Sequence, residues 1–64
     1  MPRHDYEQSK QIEMQDFSFR AIIMAAMRKA DTDNTAKLQR AFPTIYAELD
    51  ARYHAPGGIL PGDL

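Results

Sequence analysis

Sixty-four residues with eight Lys or Arg, nine Asp or Glu and no cysteine make one domain at most, and they exclude both a disulfide framework and a cysteine-based zinc site. A chain this short sits below the size at which one core comfortably offsets chain entropy; with only His4 and His54 as imidazoles, no metal cage is implied, and self-association or a partner becomes the expected source of stability. A composition of 27% charged and 44% hydrophobic residues fits a folded chain; the longest apolar run, Ala21 to Met27, is too short to span a membrane and the start of the chain lacks a signal-peptide core, so the expectation is a cytoplasmic protein without membrane contact.

The near-zero net charge is unevenly spread. Residues 1–16 carry −2, residues 17–30 carry +3 through Arg20, Arg28 and Lys29, residues 31–42 balance, and residues 43–64 carry −2. A basic segment between acidic ones can meet an anion, or pair with its own flanks or those of a neighbouring subunit.

In chain order, Asp5 to Gln15 is polar, with Tyr6, Ile12 and Met14 as its only apolar residues. Asp5 followed by Gln8 has the form of a capping box, but the thin apolar stripe predicts a helix only where this segment docks on something. Residues 1–15 are thus expected to be a docking or mobile segment. Asp16 is the expected N-cap of the main helix, at about 16–30. At 100° per residue, Phe19, Ile22, Ile23, Ala26, Met27 and Ala30 fill one face, while Phe17, Ala21 and Met24 form a second apolar strip roughly opposite, flanked by Arg20 and Arg28. A helix apolar on nearly all sides is a buried helix, and so small a chain has few elements to surround it. The second strip is therefore a candidate interface, unless the N-terminal segment folds back over it. Ala21, Ala25 and Ala26 would let another backbone come close. Phe17, Ala21, Ile22, Ile23, Met24 and Met27 are the expected interface residues, in a homo-oligomer, most simply a dimer.

Asp31-Thr32-Asp33-Asn34 is a run of turn and cap residues that ends the main helix and starts a second over 33–42, with Leu38 and Phe42 as its buried pair. Pro43 stops that helix and suits the first position of a third, over 43–54. Ile45, Leu49 and Tyr53, at spacings of four, form its apolar stripe beside Tyr46, and Arg52 and His54 fall in its last turn, where positive charge suits the helix dipole. Residues 55–64, with three glycines and two prolines, fit no regular element. Ile59, Leu60 and Leu64 are unusual in a free tail, so the tail is expected either to seal the chain's own core or to dock on another chain. The fold expected is all-α: a small three-helix domain over 1–64, with room for an extra N-terminal helix and a non-helical Pro/Gly tail over 55–64.

The stretch Ala41-Phe42-Pro43, Glu48-Leu49 and Arg52-Tyr53-His54-Ala55-Pro56-Gly57-Gly58-Ile59-Leu60-Pro61-Gly62, with Ile22 to Arg28 and Ala30 to Asn34 upstream, resembles a group of small phage and prophage proteins. The likeness covers roughly residues 5–63 and brings no activity and no functional residue. It implies origin in a virus or mobile element acting inside a bacterial cell, where such small proteins are often inhibitors of host enzymes or defences.

Catalysis is not expected. A nucleophile needs a base in reach and a cleft that excludes water, and three short helices leave little room for one; Asp31 and Asp33 read as caps. No cofactor is implied, since no phosphate loop, paired-histidine zinc motif or calcium loop is present. Two binding alternatives remain beside the protein-binding reading. The first is a sponge for a small nucleotide or other anion, in which Arg20, Arg28 and Arg52 supply charge, Tyr53 and His54 supply rings, and Gly57 and Gly58 offer backbone N–H groups. Against it, Tyr53 reads equally as core and the glycines as a helix stop. The second is a helix-turn-helix-like DNA binder, with Asn34, Lys37, Gln39 and Arg40 on the reading helix. Asp31 and Asp33 at that helix's start, and a pI near 6.0, oppose it. The leading expectation is a non-catalytic accessory protein that binds a host protein, such as a defence or replication factor, through a methionine- and alanine-rich helix.

Overall fold

The computed structural model describes residues 3–63; Met1, Pro2 and Leu64, with Leu64's expected part in the apolar tail, lie outside them. Among the described residues the chain is all-α. Helix α1 spans Arg3–Glu13, α2 Phe19–Lys29, α3 Thr32–Ala41 and α4 Pro43–Tyr53, and a short 3-10 turn covers Pro56–Gly58.

The boundaries follow from local chemistry. Helix α2 begins two residues later than the sequence suggests. Its N-cap is Ser18, not Asp16, and the Ser18 hydroxyl accepts a 3.0 Å hydrogen bond from the Ala21 N–H, satisfying one of the N–H groups that a first turn leaves open. At the other end the Ala30 N–H closes on the Ala26 carbonyl, after which Ala30 turns extended. The Asp31 carboxylate then caps α3 by accepting from the Asn34 N–H at 2.8 Å, as its residue type predicts. Phe42 breaks the path with φ −133° and ψ 65°, and Pro43 opens α4, where its missing N–H costs no bond.

Helices α2, α3 and α4 pack on one another, and the 3-10 turn packs on α4. Their shared core is small: Met27 is 4% exposed and Ile45 6%. The Phe19 and Phe42 rings meet edge-on at 5.7 Å, a favoured aromatic geometry, although Phe19 stays mostly exposed. Ile23, Met24, Leu38, Tyr46 and Leu49 are half-buried. Tyr53 departs from the expected stripe. It is 76% exposed, at the edge of an open cleft that it shares with Arg28 of α2 and with Leu49.

Helix α1 forms without the docking that its thin stripe called for. Every described residue of it is exposed, and no other element packs against it. Local terms hold it: Lys10 lies 3.5 Å from Glu7 and 4.9 Å over the Tyr6 ring, each a modest surface contribution. The molecule is correspondingly drawn out, with extents of 42 × 28 × 17 Å and a radius of gyration of 13.6 Å, against about 11 Å for a compact chain of this length.

Candidate interaction surface

Helix α2 is covered on one side only. The side carrying Arg20, Ile23, Met24 and Met27 turns toward the rest of the chain: Met27 is buried, and Arg20 reaches the Glu48 carboxylate on α4. The opposite side carries Ala21, Ile22, Ala25 and Ala26. Together with Ile12 from α1 and Phe17 from the connecting loop, these residues line an apolar groove of about 400 Å³ with Lys29 at one end. Phe17, Ala21 and Ala25 are exposed. So α1 does not close over α2; it supplies one wall through Ile12 and leaves the groove open.

This placement sorts the expected interface residues. Phe17, Ala21 and Ile22 line the groove. Ile23 and Met24 are half-buried on the other side of the helix, and Met27 is enclosed by the chain's own packing, so Met27 is corrected from interface to core. Met24 does not share a strip with Phe17 and Ala21 as the helical projection suggested. Ile12, Ala25, Ala26 and Lys29 belong to the groove instead. The Ala21–Ala25 spacing of four was a legible signal for Ala25.

The chain as a whole is over-exposed by area. A compact monomer of this mass exposes about 4,200 Å², whereas this chain exposes 5484 Å², an excess of about 1,300 Å² over that scaling. Met14, at 80%, and Tyr6, Ile12 and Phe17 are large apolar residues in solvent at the α1–α2 end.

The sequence-predicted ligand residues fall into two groups. Arg52 is the centre of a clasp on the tail. Its guanidinium donates to both Asp63 carboxylate oxygens at 2.7 and 2.9 Å, to the Gly58 carbonyl at 2.8 Å, and through Nε to Glu48 at 2.9 Å. Glu48 also receives Arg20. The Arg52 and Arg20 bonds hold the Glu48 carboxyl below its usual range. Arg52 and the Leu60 N–H hold Asp63 at about 2, while Asp63 and Glu48 push Arg52 further up. Gly57 and Gly58 adopt positive φ of 63° and 71°, a region open to glycine, and so turn the chain back toward Arg52. The Gly58 N–H donates to the Ala55 carbonyl at 3.0 Å, so it is engaged within the tail. The tail, among the described residues, is fastened to its own α4, with Ile59 left exposed.

No family model matches this chain, no curated protein matches it, and no solved structure matches it. The surfaces therefore carry the functional reading by themselves.

Arg28 is the basic residue left in the second group. It lines an open cleft of about 330 Å³ with Tyr46, Leu49, Asp50 and Tyr53. His54 sits beside it, exposed, with its ring edge-on to Tyr53 at 5.4 Å and Nδ1 2.8 Å from the Asp50 carbonyl oxygen. On α3, Lys37 pairs with Asp33 at 3.1 Å, and Gln39 and Arg40 are exposed. Among the described residues, no three acidic or histidine side chains gather as a metal site would require, and no helix is long and apolar enough to cross a membrane.

Proposed function

We propose that this chain is a small non-catalytic accessory protein that acts by protein–protein binding and that works as a homo-oligomer, most simply a dimer. The observation that carries the reading is the open apolar groove on α2, in a molecule whose exposed area exceeds that of a compact monomer by about 1,300 Å². Contiguous apolar surface on so small a protein marks an interaction site. The finer proposal is a phage-type inhibitor of a bacterial host's defence or replication factor, acting in the host cytoplasm. It rests on the resemblance of residues 5–63 to small phage proteins and on the small size of the chain. The test is affinity capture from bacterial lysate with the wild type, followed by rebinding to the purified candidate. A host protein that rebinds the purified wild type supports the proposal; no host protein that rebinds removes the inhibitor part.

A nucleotide or anion sponge is the second reading, and the cleft of Arg28, Tyr46 and Tyr53 is the observation that favours it, since a cation beside two rings suits a base with a phosphate. It would run through Arg28 and not Arg52, whose donors serve Glu48, Gly58 and Asp63. Mass spectrometry of the protein purified under native conditions tests it: a bound nucleotide, lost in Arg28→Ala, is the expected result.

A further inference from the structure

We infer that the occupant of the α2 groove is the α2 groove of a second copy, with the two helices antiparallel and Lys29 of each copy set against the acidic α1–α2 connection of the other. The inference rests on the self-association proposed above and adds its geometry. Two independent observations carry it.

The first is area. A stable pair of proteins buries about 800 Å² on each partner, and the whole chain, the undocked α1 included, exposes about 1,300 Å² more than the compact-monomer scaling, so pairing along α1 and α2 has that much surface to draw on. The groove has short side chains at its floor, Ala21 and Ala25 in one row and Ala26 beside them, with Ile12, Phe17 and Ile22 as its larger lining residues. Ala21 and Ala25, one turn apart, let the same face of a second α2 approach closely between the flanking Phe17 and Ile22 side chains, and pairing a surface with itself is the usual mode of homodimers.

The second is charge. Among the described residues, Glu13 and Asp16 lie just before α2 and make no ion pair, while Arg28 and Lys29 lie in its last turn and make none. The unpaired acids are thus at one end of the groove and the unpaired bases at the other. In a parallel pair, like charges would meet at both ends. In an antiparallel pair crossing near Ala25, Lys29 lies about 6 Å along the axis from the crossing, beside Ala21 of the other copy and pointing to its Asp16 end. The helix dipoles also oppose favourably in this orientation.

Charge reversal tests the pairing. Asp16 is outside α2, whose cap is Ser18, so Asp16→Lys changes no cap. The dimerisation constant is measured by sedimentation for the wild type, Lys29→Glu, Asp16→Lys and the double variant, with helicity checked by circular dichroism. Each single change is expected to weaken the dimer by up to about tenfold, since two symmetric exposed pairs are lost, and the double variant is expected to return to the wild-type value. Lys29→Gln serves as the neutral variant if Lys29→Glu frays α2; it should weaken the dimer by less. If Lys29→Glu tightens the dimer, or the double variant stays weak, the antiparallel pairing is overturned while the self-association stands. A wild type that remains monomeric overturns both.

Discussion

The two sides of α2 are finished differently. On the α4 side the carboxylates are engaged: Glu48 takes Arg20 and Arg52, Asp63 takes Arg52 and the Leu60 N–H, and the tail is fastened across the end of α4. On the groove side, Ile12, Met14 and Phe17 lie in solvent and α1 packs on no other element, and, among the described residues, Glu13 and Asp16 before α2 and Lys29 in its last turn make no ion pair. One side uses its charges to hold the chain to itself, and the other leaves apolar surface and charge available. The contrast teaches that the openness of α1–α2 is a property of place. It does not reflect a chain that is loosely made throughout.

The contrast can be broken most strongly through the core. Met27→Ala should destabilise the fold by about 2–5 kcal/mol, enough to abolish the cooperative thermal transition in so small a chain. Met14→Ala, on the open side, should cost about 0.5 kcal/mol or less, so parallel melting curves separate the two sides. Next comes the clasp. Arg52→Ala should free residues 55–63 while leaving α4 helical, which is seen as loss of amide protection from Ala55 onward with circular dichroism little changed.

Acid should act on the same contact more gradually. Asp63 is lowered from 3.8 to about 2, and Glu48 is lowered as well. A carboxyl lowered on folding contributes fully above its unfolded value and loses that contribution as pH falls through its folded value. The tail should therefore stay fastened down to about pH 4 and release as pH approaches 2, followed through the Leu60 amide by NMR; Asp63→Asn should remove that titration. The cap is a local effect: Ser18→Ala should cost about 1 kcal/mol, and Asp16→Ala close to nothing, in the same melting experiment at concentrations where the chain is monomeric.

Much of the fold was legible residue by residue. Asp31 capped α3, Pro43 opened α4, and the Pro/Gly tail stayed non-helical, because each rests on the local chemistry of one or two residues. The cap of α2 was ambiguous, since Asp16 and Ser18 are both good N-cap types two positions apart, and the choice is made by where the Ser18 hydroxyl meets the Ala21 N–H. The rotation of α2 was beyond the pattern. A helix apolar nearly all round offers two candidate faces in its own sequence, and the face turned inward is the one that encloses Met27 and brings Arg20 to Glu48, 28 residues away. Hence Met24 moved inward and Ala25 outward. The Arg52 clasp was hidden for a similar reason: the positive φ of Gly57, Gly58 and Gly62 goes with the path that brings Asp63 back to α4. Tyr53 kept the spacing of the buried stripe but stands at an open cleft beside Arg28 and is left exposed.

The central claim, that the outer face of α2 is a surface meant to be covered, is tested most directly by sedimentation equilibrium of the wild type and Ala25→Arg from micromolar to millimolar concentration. The wild type should rise with concentration toward twice its 7.3 kDa mass, and Ala25→Arg, folded and equally helical, should stay at the monomer mass. A wild type that sediments as a well-folded monomer at every concentration would contradict the account.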